Sequence, residues 1–368
     1  MSWSLTIGRF GATVVRVHLT FFLLLAWIGV SAWQQGGPAA ARDSLLFILL
    51  IFLCVTLHEF GHILMARRFG IETPDVILLP IGGVARISRM PEKPSQELAV
   101  AIAGPLVNVA IALLIFLILG TIESASLAHI DDPSVSLFAR LAAVNIFLVL
   151  FNLIPAFPMD GGRVLHALLA MKLGPARATQ VAASLGQALA FALGFLGLFG
   201  NPLLIFIAIF VYIAAGGEAQ MSAFKEMARG LNVADAMETG FTAIPIEASL
   251  GDAIDTLLAA GQNEFPILDA FGKPVGLLRR DDLFSALKAY DRDAKITGFM
   301  RPLETMRQKA PLDLVIDRLQ GPQATAIGVT DTDGVLIGLL TRENLGEMMI
   351  IKTLRPDWRF HRGIGITQ

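Results

Sequence analysis

CVTLHEFGHILMARR, Cys54 to Arg68, is the stretch from which the rest of the chain is read. His58 and His62 stand four residues apart. On a helix that spacing puts both imidazoles on one face, one turn apart, able to grip one metal ion. Glu59 directly follows the first of them. His-Glu-x-x-His on a helix reads as a zinc hydrolase motif, with two histidine ligands and the glutamate as general base. The flanks are SLLFILLIFLCVTL before the motif and ILM after it, and Glu59 carries the one formal charge between Ser44 and Ala66. Three polar groups in an apolar helix are expensive without a partner, and a zinc ion satisfies two of them at once. The stretch is a metal motif written inside a membrane span.

Composition agrees. The chain of 368 residues is 54% hydrophobic and 16% charged, with the apolar runs concentrated before residue 220. The net charge of −2 gives no electrostatic case for a nucleic-acid partner. The single cysteine, Cys54, excludes a disulfide framework and a cysteine-rich metal site.

Working outward from the motif, about six spans are expected. The first is Val17 to Trp33, preceded by Arg9 and Arg16; a signal peptide cut near Val30-Ser31-Ala32 is the competing reading. His18 at its start reads as an interface histidine or as a group near the metal. The second span, 44–66, holds the motif. Fourteen residues past Ser44, His58 lies about 21 Å into a core about 30 Å thick. VILLPIGGVARIS (76–88) reads as a small β-hairpin turning at Gly82-Gly83, with an edge open to an extended peptide or serving only as a re-entrant loop. The third span, about 97–120, is interrupted by Gly104-Pro105 and carries Asn108, which reads as interhelix glue or as an amide offered to a substrate backbone. His129 in the acidic loop that follows reads as solvent-facing. The fourth span, about 137–156, ends in NLIPAFPMDGGR (152–163), broken backbone of the kind tolerated where it lines a cavity. Asp160, the one carboxylate there, suits a third zinc ligand; beside two glycines it also suits a turn. Apolar stretches at about 179–199 and 203–217 complete the set.

With six spans, Arg9, Arg16, Arg67, Arg68, Arg86, Arg89, Lys93, Arg163, Lys172, Arg177, Lys225 and Arg229 fall on one side, and only Arg42 and Arg140 on the other. That bias places both termini in the cytoplasm. The tail contains a repeat: ILDAFGKPVGLLRRDDL (267–283) aligns without gaps on VTDTDGVLIGLLTRENL (329–345). Each unit reads as strand, turn, strand, helix, and two units make a paired module.

HEFGH, GPLVN (104–108) and NLIPAFPMDGG (152–162), in this order, resemble the intramembrane zinc metalloproteases of the site-2 protease family. The tail resembles a tandem pair of cystathionine-β-synthase (CBS) domains, which one branch of that family carries after its last span. The implied fold is a polytopic α-helical membrane protein followed by a soluble α/β CBS pair. The expected layout is a membrane protease domain over 1–220, a linker over 221–231, CBS domains over 232–292 and 293–352, and a tail over 353–368. The resemblance implies His58, His62 and Asp160 as ligands of one zinc per chain and Glu59 as catalytic base. It implies Asn152 at the oxyanion or substrate and Asn108 near the substrate strand. The implied partners are the lipid bilayer and a membrane-spanning regulatory protein as substrate, with a homodimer through the CBS pair. CBS domains that bind adenine nucleotides use a Gly, Ser/Thr, Asp pattern. The second unit offers Gly338, Thr341 and Asn344; the first offers Gly276 and Asp282 but has Arg279 in the hydroxyl position. The readings from other classes are a CBS-gated transporter or channel, with polar residues spread along several spans, and a catalytically inactive scaffold.

Overall fold

The apolar run around the motif folds as the second arm of a long helix, α1 (Leu19–Arg68), which bends at Gly37 (φ 73°) next to Pro38. The two arms lie against each other. Phe21 packs on Phe52 with ring centroids 4.4 Å apart, and a Cβ on Gly29 would stand 3.4 Å from Leu45. The two expected spans are therefore one helical hairpin. The structure, a computed structural model, describes residues 3–80, 82–86, 91, 93–119, 135–320, 324–355 and 357–358. The expected hairpin's last residues, Arg89 and the loop with His129 lie outside the described residues.

The chain divides into two compact units, Met1–Ser222 and Ala223–Gln368. In the first, strands β1 (Ser4–Phe10) and β2 (Thr13–His18) precede α1, and β3 (Asp75–Leu79) and β4 (Gly82–Arg86) follow it. They form one sheet in the order β1-β2-β3-β4, with β2 parallel to β3 from Val14↔Asp75 to Val17↔Leu78. The expected hairpin is thus half of a larger sheet. The expected first span loses Val17 to β2, because buried Thr13, Val15 and Val17 alternate with half-buried positions at strand period. Val17, Val76 and Leu78 bury the sheet against Phe21, Phe52 and Ile63 of α1. His18 caps α1, its Nδ1 2.8 Å from the Thr20 hydroxyl, rather than joining the metal-type cluster.

Helices α2 (Pro94–Leu119), α3 (Leu137–Asn152), α4 (Asp160–Leu173), α5 (Pro175–Phe199) and the greater part of α6 (Leu203–Ala228) complete this unit. Among the described residues four helices, α1, α2, α5 and α6, are long and apolar enough to cross a membrane; α3 is apolar but shorter. With α1 counted as two arms, each of the six expected apolar segments holds a helix, the fourth ending at Asn152 rather than near 156. The expected interruption at Gly104-Pro105 does not occur. Pro105 removes one backbone donor, and α2 continues through it, as helices packed among other helices tolerate. Arg140 of α3 is buried against Phe47 and paired to Asp43 at 2.9 Å, so it is no free flanking cation.

The second unit repeats one plan twice. Parallel β5 (Ile244–Pro245) and β6 (Glu264–Leu268) with antiparallel β7 (Pro274–Arg279) carry α7 (Leu250–Ala259) and α8 (Arg280–Leu287). Likewise β8 (Glu304–Arg307), β9 (Ala326–Thr330) and β10 (Leu336–Thr341) carry α9 (Asp313–Gln320) and α10 (Arg342–Leu354). The segment leading each repeat pairs with the other's sheet. Glu238 exchanges backbone hydrogen bonds with Leu339 at 2.7 and 2.9 Å, and Arg301 does so with Leu277 at 2.8 and 2.9 Å.

Candidate metal centre

Three side chains from two helices meet at one point. His58 and His62 come from consecutive turns of α1, and Asp160 is the first residue of α4, delivered by the Pro-rich turn after Asn152. Asp160 Oδ2 is 3.2 Å from His58 Nε2 and 3.3 Å from His62 Nε2, and the two nitrogens are 3.1 Å apart. One ligand-type atom of each lies within 4.8 Å of the others, and both histidines are buried.

The far side of each ring decides what its near side offers. His62 Nδ1 is 2.7 Å from the Val100 carbonyl, which can only accept, so Nδ1 carries a proton and, in the neutral ring, Nε2 carries the lone pair. His58 Nδ1 faces Asn108 Oδ1 at 3.2 Å and is held in the same tautomer. Asp160 Oδ2 is buried and finds no well-aligned donor among the described residues. With both rings neutral, two lone pairs and a carboxylate oxygen converge with no proton among them. In that state the three donors repel one another unless a cation, a proton or a metal ion, stands between them. Three protein ligands with one position left over is the donor set of a catalytic zinc site, so the residues fit the metal.

One face of α2 builds the support. Val100 and Asn108 lie a turn to either side of Gly104, and a Cβ on Gly104 would stand 2.2 Å from His62 Nε2 and 2.8 Å from His58 Nε2. Only hydrogen fits there. On the other side β4 passes the half-buried Glu59, where a Cβ on Gly83 would stand 2.7 Å from Glu59 Cγ. β4 ends the sheet, so its outer backbone edge pairs with no described strand.

Of the residues expected from sequence, His58, Glu59, His62, Asp160 and Asn108 are brought together. Asn108 is fully buried, and its Nδ2 has no hydrogen-bond partner among the described residues. Asn152 ends α3, half-buried, where the turn to Asp160 begins. Sequence reasoning gives the Val100 carbonyl no role, and reads Gly104 only as a helix interruption within GPLVN and Gly83 only as a turn. The spacing of Val100, Gly104 and Asn108 on one helix face was the available signal for the first two.

The expected nucleotide residues are committed to protein contacts. Thr341 and Asn344 form a capping box on α10, with the Thr341 hydroxyl donating to Asn344 Oδ1 at 2.6 Å and accepting from Asn344 N at 3.2 Å. Asn344 Nδ2 donates to Glu238 at 3.3 Å. The space beside Gly338 is filled: Met237 Sδ stands 2.7 Å from where a Cβ would be. Asp282 pairs with Arg301 at 2.7 Å and Arg279 at 3.0 Å. Beside that pair a cleft of about 370 Å³ is lined by Leu277, Arg279, Arg301 and Thr325, whose buried hydroxyl has no partner among the described residues.

Residues 46–130 and 120–193 match the model of peptidase family M50, and residues 233–289 match that of the CBS domain. The chain is 32% identical over 280 residues to the zinc metalloprotease MJ0392 of Methanocaldococcus jannaschii, covering 76% of this chain and 78% of the relative. It is 28% identical over 386 residues to the Rip3 protein of Mycobacterium tuberculosis, covering 97% of this chain and 96% of that one. A solved site-2 protease from Methanocaldococcus jannaschii is 33% identical and spans 59% of this chain and 95% of its own, with a TM-score of 0.44.

Proposed function

We propose, for a chain that belongs to peptidase family M50 and is a zinc metalloprotease of the membrane, that it cuts inside the membrane-spanning segment of another protein, a membrane-bound regulator. The observation that carries this is the placement of His58, Glu59 and His62 on an arm of α1 long and apolar enough to cross a bilayer. Groups so costly in hydrocarbon are kept there where the substrate is also there.

In this reading His58, His62 and Asp160 hold one zinc per chain. When bound, zinc supplies Lewis acidity that polarises the scissile carbonyl and lowers the pKa of water to about 7. Glu59, beside the first ligand, takes the proton from the attacking water and gives it to the leaving amine. Asn108, with its unpaired Nδ2, and Asn152 hold the oxyanion or the substrate backbone. A helical substrate hides its carbonyls in hydrogen bonds and must unwind; the free edge of β4, running past Glu59, receives it by strand addition. Convergence of these groups at one point does not suit a permeation path. Co-expression with single-span membrane proteins tests the reading: partners cut only in their extramembrane parts would sink it.

Residues 1–220 would act as the protease domain and the CBS pair (232–292 and 293–352) as its modulator, through the linker 221–231. Both termini would face the cytoplasm. Reporter fusions at Gln368 should then read cytoplasmic and at Gly37 external; a cytoplasmic signal at Gly37 would reverse the orientation. A homodimer through the CBS pair would show as twice the chain mass in detergent light scattering.

An adenine nucleotide would enter the cleft between Arg279 and Arg301, where two guanidinium groups meet its phosphates. Gly338, Thr341 and Asn344, tied to the cap and to Met237, would contribute little, and Asp282 would have to release Arg301. Calorimetry on the full chain should therefore show ATP or AMP binding that Arg301→Ala removes and Thr341→Ala retains. Absence of heat at about millimolar nucleotide, an affinity near −4 kcal/mol, would leave the pair as a docking module.

A further inference from the structure

One charged pair stands beside the metal centre without belonging to it. His166 lies on α4 and Glu97 in the first turn of α2, with side chains 14% and 11% exposed. His166 Nδ1 is 2.8 and 2.9 Å from the two Glu97 carboxylate oxygens, and its Nε2 is 3.3 Å from the Pro175 carbonyl at the start of α5. Both ring nitrogens therefore face atoms that can only accept. The imidazolium, with two N–H donors, satisfies both; either neutral tautomer leaves a lone pair against an oxygen.

The pair's position gives it leverage. Glu97 sits one turn before Val100, whose carbonyl orients His62, and on the same helix as Gly104 and Asn108. His166 sits on the helix that begins with Asp160. We propose that Glu97 and His166 form a proton-dependent clasp that holds α4, and the Asp160 at its start, against the α2 face that orients both histidines. This rests on Asp160 being a zinc ligand, and it makes His166 a positioning residue rather than a catalytic one.

The groups acting on the ring come from every side. Among the described residues Glu97 from α2 and Glu218 from α6 are the charged ones, α5 presents the Pro175 carbonyl, and the turn before α4 presents the uncharged Phe157 ring. Burial works against the charged ring, but the Glu97 carboxylate outweighs it, and His166 titrates above the ordinary imidazole value. A histidine whose folded pKa is raised contributes fully below its unfolded pKa. That contribution is lost as pH rises through the raised value. The clasp is closed below the raised value and opens as pH rises through it.

Zinc occupancy of the full-length protein against a competing chelator, followed from mildly acidic to alkaline pH, tests this. Deprotonation of the ligands by itself strengthens metal binding as pH rises. An opening clasp does the opposite, and a mispositioned ligand should weaken zinc by about tenfold or more. Wild type should therefore show a fall in occupancy as pH rises through the raised His166 value. Glu97→Gln should move that fall to lower pH, and His166→Arg, a permanent cation, should abolish it. A fall in His166→Arg at the wild-type pH, or an unmoved one in Glu97→Gln, would overturn the clasp while leaving the zinc assignment intact. A wild-type protein that holds no zinc at any pH would instead remove the reading on which the clasp rests.

Discussion

Glu59→Gln is expected to keep its zinc and lose proteolysis by about 10²-fold or more, the usual worth of a positioned general base. Glu59 is not among the three converging donor atoms. The amide has nearly the shape of the carboxylate, so the close passage of β4 at Gly83 is preserved. What the amide lacks is the ability to take a proton from water and return it to the departing amine. The expected signature is a split: metal content at the wild-type level by elemental analysis, with cleavage close to background. A variant that binds zinc normally and still cuts at the wild-type rate would return the chain to the transporter or scaffold readings.

Gly104→Ala is expected to be as damaging by a different route, through the metal. The added methyl would stand 2.2 Å from His62 Nε2, well inside van der Waals contact, and 2.8 Å from His58 Nε2. These are the two atoms that must face the ion. The rings cannot simply step aside, because their opposite nitrogens are held by the Val100 carbonyl and Asn108 on the same helix that carries the methyl. Relief requires breaking one of those bonds or moving α2 away from α1. Either should lower zinc affinity by about 10- to 100-fold, the cost of losing the groups that orient a ligand, with proteolysis falling alongside. Wild-type occupancy in a Gly104→Ala protein of normal helical content would contradict the geometry.

The chemistry was legible in the sequence where it is written in side chains at helical spacing. His58 and His62 with Glu59 between them announced a metal site, and the flanking SLLFILLIFLCVTL announced its surroundings. The six apolar segments were also legible from run length, although nothing local said that the first two would fold as one hairpin bent at Gly37. The β2–β3 pairing was not legible, since it joins Val14–Val17 to Asp75–Leu78 across the whole of α1. The partner of His62 is the backbone carbonyl of Val100, and a carbonyl has no letter of its own. In the tail, the 62-residue offset gave the repeat. That Met237 would fill the space beside Gly338 depends on each repeat's leading segment crossing to the other's sheet, which no single repeat encodes.

Where the cut falls, and whether it needs the metal, decide the assignment. The purified chain would be reconstituted in a bilayer with a single-span partner protein, and the products mapped by mass spectrometry before zinc is stripped, after stripping, and after zinc is restored. The expected cut is at a peptide bond within the partner's apolar span, lost on stripping and regained with zinc. Cleavage that persists in full without metal, or a cut confined to residues outside the span, would contradict it.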